Sequence, residues 1–92
     1  MEELQRISEL ASWYMRRPNP ERYQEGWRRY KKGWEVRLSV KRLDDLEIVR
    51  RLLVASGFKI GRPFRKHSRW VQPLYGRDAV ERFSSLAQLA VQ

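Results

Sequence analysis

The side chains that could act as a general acid or base are few, and they lie in two places. Asp44, Asp45 and Glu47 follow one another closely, and His67, the single histidine, stands in the basic run 65–69. Acid–base catalysis requires titratable groups that converge on one point. The neighbouring cations oppose protonation of His67, which would suit a general base, but a polar contact from a basic loop explains the same residue more simply.

The carboxylates are explained by the element that they begin. Asp44 and Asp45 stand where an apolar helical pattern starts, and acidic side chains in a first turn are stabilised by the helix dipole. Two adjacent carboxylates could hold Mg²⁺, but no third acid stands at a useful spacing. The chain also lacks Cys, a glycine-rich phosphate loop and a serine-nucleophile motif. We therefore predict no metal site, no cofactor and no catalytic residue, with His67 as the candidate base if the protein is an enzyme.

Basic residues dominate the charge of the chain. The 92 residues include 20 Lys and Arg against 11 Asp and Glu, for a net charge of +9. Residues 16–69 hold 17 of the basic and 6 of the acidic residues. Such a positive field attracts polyanions and accelerates their association. The charge therefore favours a nucleic acid partner over a merely solubilising surface.

Composition limits the class of protein. With 41% hydrophobic and 12% aromatic residues, the chain can bury a core and does not read as a disordered polycation. Its longest apolar run, 52–55, is far shorter than the roughly 20 residues that span a bilayer. The acidic first residues lack the pattern of a signal peptide. We expect one domain over 1–92, located in the cytoplasm and without membrane contact.

Two helices are predicted for a helical N-terminal part, residues 1–33. From 2 to 17, apolar residues recur at spacings of three and four, and Pro18 ends the pattern. From 20 to 33, one helix face is aromatic and the other positions are mainly basic. The aromatic positions are Tyr23, Trp27, Tyr30 and Trp34. A strand over 25–30 that turns at 31–33 is the competing interpretation of this segment.

Residues 34–92 predict a β-α-β-β-α part. Apolar and polar residues alternate from 34 to 41, and a helical pattern from 43 closes at Gly57. A second strand is predicted from 58 to about Pro63 and a third at 69–75, the latter an edge or interrupted at Pro73. A basic loop over 65–68 lies between them, and a last helix is predicted over 77–91. The predicted fold is therefore α+β, in the order α-α-β-α-β-β-α, with a small three-stranded mixed sheet and helices packed on one face.

The candidate nucleic-acid-binding residues are the basic side chains of the wet sheet face, the hairpin loop and the basic helix. They are Arg37, Lys41 and Lys59 of the face, Arg62, Arg65, Lys66, His67 and Arg69 around the loop, and Arg28, Arg29, Lys31 and Lys32 of the helix. Lys and Arg contacts to phosphates position a protein on a duplex, and a sheet face can enter a groove. We expect DNA rather than RNA as the partner, and a homodimer is compatible with this interpretation.

Residues 34–83 resemble the second half of a LAGLIDADG homing-endonuclease domain. The matching segments read WEVRLSV, LDDLEIVRRLLVASGFKI, RWVQPLYG and RDAVERF. In that family an alternating strand leads into a Leu-rich helix, and a strand, a Trp-containing strand and a closing helix follow. The resemblance implies DNA binding on the open face of the sheet, through Arg37, Lys41 and Lys59. The family's signature helix ends in a metal-binding acid that has no match in residues 1–17, so binding without cleavage is implied.

A shorter segment is similar to HicA-type mRNA interferase toxins. The run LLVASGFKI followed by His67-Ser68 resembles their Leu-rich helix, which leads through Gly-Phe to a Gly-Ser-His whose His is the catalytic base. This resemblance implies a small ribonuclease that uses His67, although the glycine before the Ser-His pair is missing. A third interpretation is a protein-interaction module in which the basic helix 20–32 docks an acidic partner.

Overall fold

The computed structural model describes residues 2–18 and 33–91. In chain order the elements are α1 (Glu2–Leu10), β1 (Ser12–Arg16), β2 (Glu35–Val40), α2 (Leu43–Ala55), β3 (Phe64–Lys66), β4 (Arg69–Tyr75) and α3 (Arg77–Val91). The α+β class is confirmed, with the order α-β-β-α-β-β-α over these residues. The predicted helix over 20–33, and the strand that competes with it, lie outside the described residues.

The four strands form one antiparallel sheet in the order β1-β2-β4-β3. The predicted three-stranded mixed sheet is therefore wrong. The longest ladder joins β2 to β4, from Glu35 opposite Tyr75 to Val40 opposite Trp70. α2 connects β2 to β3, which runs parallel to β2 at the sheet edge but is not its neighbour, because β4 lies between them. The tight β3–β4 hairpin then returns the chain to β2 in antiparallel orientation.

The predicted helix over 2–17 is wrong in its second half. α1 ends at Leu10, and residues 12–16 pair with β2 along their whole length. Trp13 and Met15 pack against the core from alternate positions of β1, while Ser12, Tyr14 and Arg16 are exposed. Pairing with β2 thus outweighs the helical spacing of the apolar residues, because a bulky aromatic run fits a half-buried strand well.

The predicted strand from 58 to about Pro63 is also absent. Residues 58–63 connect α2 to β3 without strand pairing, and β3 forms at 64–66, inside the predicted basic loop. Phe58 is buried instead, with its ring centre 6.0 Å from that of Phe83. Ile60 is partly buried against the same core, so both apolar side chains of the segment pack without strand pairing.

β4 runs through Pro73 without interruption. Pro73 lies opposite Arg37 of β2, and its carbonyl oxygen accepts the backbone N–H of Gly61 at 3.0 Å on the other side. Proline has no N–H to donate, so it fits where the backbone groups point away from the neighbouring strand. β4 is an internal strand of the sheet rather than the predicted edge strand. Its pairing with β3 ends at Val71, so Pro73 occupies a stretch of β4 that β3 leaves open.

The helices pack on one face of the sheet, as predicted. The most deeply buried apolar side chains come from every helix and from the two central strands. They are Ile7, Val36, Leu38, Val40, Val49, Leu53, Leu74, Val80 and Phe83. No helix of the described residues is long and apolar enough to cross a bilayer. The opposite face of the sheet is not covered by any described helix.

Candidate nucleic-acid interface

The face of the sheet away from the helices, called the open face below, consists of alternate residues of all four strands. These are Ser12, Tyr14, Arg16, Glu35, Arg37, Ser39, Phe64, Lys66, Arg69, Val71, Pro73 and Tyr75. Successive side chains of a strand point to opposite faces. The strand registers place Tyr14, Arg37 and Pro73 in one row across the sheet, and Ser39 with Val71 in the next.

Charge is divided unequally between the two layers of the molecule. Among the described residues, the helices carry five basic and eight acidic side chains, whereas the strands and connecting segments carry ten basic side chains and one acidic side chain. The single acid of the second group is Glu35. Of these ten basic side chains, four lie on the open face, five in connecting segments and one, Arg65, on the helix side of the sheet. The four on the open face are Arg16, Arg37, Lys66 and Arg69. The positive field of the described residues therefore comes from the sheet and the connecting segments rather than from the helices.

Glu35 is almost completely buried at one end of β2, where it contacts two arginines. Its carboxylate lies 3.0 Å from Arg37 Nε and 3.6 Å from a terminal nitrogen of Arg16. The Arg37 Nε–H does not point at the carboxylate as a hydrogen bond requires, so the contact is an ion pair. This contact with Glu35 raises the pKa of Arg37 above its ordinary value, against the opposing effect of burial. The guanidinium therefore stays charged at any physiological pH.

Arg37 is less solvated than its place on the wet face of β2 predicts. Its guanidinium carbon lies 5.4 Å from the centre of the Phe64 ring, a cation–π distance, and only 22% of its side chain is exposed. The side chain is thus held between Glu35 on its own strand and Phe64 on β3. Removing it would leave a buried carboxylate with one partner fewer, so neutralising Arg37 would affect the fold as well as binding.

Arg69 is held by hydrogen bonds rather than by an ion pair. Its Nε donates to Ser39 Oγ at 2.6 Å, and a terminal nitrogen donates to the backbone carbonyl of Ser39 at 3.2 Å. Both bonds cross from β4 to β2 and fix the guanidinium plane against the sheet. The remaining N–H donors of this group are available to a ligand on the open face.

A cleft of about 180 Å³ lies between these two arginines on the open face. It is lined by Tyr14, Arg37, Ser39, Lys66, His67, Ser68, Arg69 and Val71. Three of the lining residues are permanent cations and none is an acid. Cofactor pockets usually measure about 300–1,000 Å³, so this cleft has the size for a phosphate group or a single nucleotide.

His67 occupies the first position of the two-residue turn between β3 and β4, with a positive φ of 58°. Hairpin turns of type I′ or II′ require a positive φ at this position, and histidine tolerates it better than most residues. The side chain also lines the cleft, together with Lys66. None of the carboxylates considered above, Asp44, Asp45 and Glu47, lines the cleft. They lie at the start of α2, where acids are stabilised by the helix dipole.

The other predicted binding residues that the structure describes do not line the cleft. Lys41, Lys59, Arg62 and Arg65 are exposed but do not line it, and Arg28, Arg29, Lys31 and Lys32 lie outside the described residues. The predicted continuation of the sheet face at Lys59 is wrong, because this residue belongs to the segment between α2 and β3. Arg65 pairs with Trp70 on the helix side of the sheet, with its guanidinium carbon 5.3 Å from the ring centre.

The sequence alone does not identify Tyr14, Glu35 and Ser39 as residues of the candidate site. The helical spacing over 2–17 predicts a helix at Tyr14, although Trp13 and Met15 alternate with more polar residues in a pattern of period two. The alternation over 34–41 predicts Glu35 and Ser39 on the polar side of a strand, but Arg69, the partner of Ser39, is 30 residues away in the chain. No local pattern in the sequence reports such a cross-strand contact.

The described residues contain no group of three or more His, Asp or Glu side chains that could hold a metal ion. Comparison of the chain with models of known families, with curated proteins and with solved structures found no match.

Proposed function

We propose that the protein is a non-enzymatic nucleic-acid-binding domain, which contacts the phosphates of duplex DNA through the open face and the β3–β4 hairpin. The observation that carries the proposal is the separation of charge, with a single acid among the strands and connecting segments that the structure describes. Phosphate contacts supply most of the affinity in non-specific binding, and they require cations spread over a continuous surface. The open face and its hairpin offer that arrangement.

The resemblance to the LAGLIDADG domain supports the same face. From β2 to α3 the elements follow the order that this resemblance describes, namely strand, helix, strand, Trp-containing strand and helix. α1 ends at Leu10 rather than at 17. The acid in its last turn, Glu9, forms an exposed ion pair with Arg6 at 3.5 Å. We therefore propose binding to the open face without cleavage.

The affinity for a short DNA duplex is expected to depend strongly on salt. With roughly four to six phosphate contacts, log K should fall against log salt with a slope of about −4 to −5, because binding releases condensed counterions. Fluorescence anisotropy over a series of salt concentrations measures this slope directly. An affinity that stays constant between low and physiological salt would rule out binding through phosphates. Tighter binding to single-stranded RNA of equal length would show that the partner is not duplex DNA.

The position of His67 in the cleft favours a second candidate function, the hydrolysis of RNA. Such hydrolysis needs a base that removes the proton of the 2′-hydroxyl, and Lys and Arg are poor bases near neutral pH. His67 would be that base, with Lys66 and Arg69 at the phosphate. The third interpretation, an acidic protein partner, depends on residues 20–32 and gains no support from the described residues.

Replacing His67 with Asn separates the two functions. Asparagine tolerates the positive φ of the turn, so His67→Asn is expected to fold normally where alanine would add backbone strain. For a binding domain, we expect no RNA cleavage by the wild type and a loss of affinity below about fivefold, the value of one polar contact. Cleavage by the wild type that falls on the order of 10²–10⁴-fold in the variant would instead establish the ribonuclease.

A further inference from the structure

Two guanidinium groups on the open face are oriented by the protein itself. Arg69 is bonded to Ser39, and Arg37 is held between Glu35 and Phe64. We infer that the cleft between them is a binding site for one phosphate group, with Arg69 as its principal ligand and Ser39 as the residue that positions Arg69. The inference rests on the proposed function in the sense that a phosphodiester of the bound strand would occupy this site.

The geometry at Arg69 carries the inference. Its two hydrogen bonds to Ser39 use Nε and one terminal nitrogen, so the guanidinium cannot rotate freely about its last bonds. A planar group with several donors recognises phosphate oxygens through paired hydrogen bonds. A side chain that is already ordered loses less conformational entropy on binding than a solvated lysine does. The guanidinium of Arg69 is thus preorganised for binding an anion.

The charges around the cleft also suit a phosphate. Lys66 lies opposite Arg69 in the last pair of the β3–β4 hairpin, and both side chains line the cleft. Arg37 closes another side, but Glu35 neutralises part of its charge. Arg69 and Lys66 therefore supply most of the attraction, and Arg37 adds a charged wall that is fixed in place. No acid lines the cleft to oppose an anion.

The size and walls of the cleft suit a small chemical unit. A volume of about 180 Å³ has room for a phosphate group or a single nucleotide. Tyr14 forms one wall and is 50% exposed, so its ring can lie against the sugar or base next to that phosphate. The phosphate could belong to a nucleic acid strand or to a free small molecule, and the experiment distinguishes these sources.

The test removes the positioning hydroxyl without changing the charge of the protein. Ser39→Ala deletes the acceptor of Arg69 Nε, and the matched control Ser12→Ala deletes an exposed hydroxyl directly opposite on β1. Ser39→Thr restores the hydroxyl on a side chain that suits a strand. Inorganic phosphate, a deoxynucleoside 5′-monophosphate and a short DNA duplex are titrated into each protein. NMR follows the Arg69 Nε–H and the backbone amides of 66–69.

We expect all three probes to shift the Arg69 Nε–H resonance of the wild type. Ser39→Ala should lower the affinity for each probe by about fivefold. The salt slope for the duplex should stay unchanged, because no charge is lost. Ser12→Ala and Ser39→Thr should bind as the wild type does. The unchanged slope and the rescue by threonine are results that general damage to the fold would not produce.

The outcomes separate this inference from the proposed function. If the duplex binds with the expected salt slope but Ser39→Ala behaves as the wild type, the phosphate site is wrong and the binding function stands. If phosphate and the monophosphate shift Arg69 but the duplex does not bind, the site stands with a free phosphate compound as its ligand, and the proposed function is wrong. If no probe shifts Arg69, the site is wrong.

Discussion

Replacing both Lys66 and Arg69 with glutamine is expected to weaken duplex binding on the order of 100-fold. The magnitude of the salt slope is expected to fall by about two. Each residue is a cation of the cleft, and neither has an acidic partner within salt-bridge distance in the described part of the chain. One phosphate contact contributes a slope of roughly −0.9 on B-DNA. Two lost contacts between charged groups account for the loss of affinity.

A matched control decides whether the location of the charge matters. Replacing Arg6 and Arg51 with glutamine removes the same two charges from exposed positions of α1 and α2, in the helical layer. We expect this variant to lose no more than about threefold in affinity, because distant surface charges are screened beyond roughly 10 Å in moderate salt. Anisotropy titrations of both variants over the same salt series make the comparison. Equal losses in the two variants would contradict binding through the open face.

Replacing Phe83 with alanine is expected to lower the free energy of unfolding by about 3–5 kcal/mol. Phe83 is completely buried, with its ring centre 5.3 Å from that of Trp13 in an edge-to-face arrangement and 6.0 Å from that of Phe58. It joins α3 to the edge strand β1 and to the segment after α2. Its loss therefore creates a cavity at the junction of three parts of the chain. Such a loss is a large share of the roughly 5–15 kcal/mol that stabilises a typical domain.

Urea unfolding followed by tryptophan fluorescence measures this effect, since Trp13 lies against the deleted ring. The control is Leu89→Ala in the same helix, where the leucine is 57% exposed. We expect the control to change stability by less than about 0.5 kcal/mol. A cost below about 1 kcal/mol for Phe83→Ala would mean that α3 does not pack on β1 as described.

Long, regular patterns in the sequence were sufficient to predict much of the fold. The alternation over 34–41 and the helical spacing over 43–57 and 77–91 correspond to β2, α2 and α3 within a few residues. Each of these elements buries one face, so its own periodicity reveals its structure. Gly57, with a φ of 89°, ends α2 as its position in the sequence predicts.

The short strands were decided by tertiary contacts. β1 has five residues and β3 has three, and among the strands that the structure describes each lies at an edge with one neighbour. A segment of this length carries too few residues for its periodicity to separate strand from helix or loop. The strand with which the segment pairs decides its structure. This partner is β2 for β1 and β4 for β3. The described residues therefore form a sheet of four strands, and the first predicted helix is divided between a helix and a strand.

The sequence by itself determined that the protein is strongly basic and that Arg37, Lys66, His67 and Arg69 are candidate binding residues. Only the tertiary structure decided how these side chains are arranged. It pairs Arg37 with buried Glu35, bonds Arg69 to Ser39 across the sheet, and places His67 in a turn with positive φ. The physical reason is that strand register sets cross-strand neighbours. Register depends on pairing between segments that lie far apart in the chain.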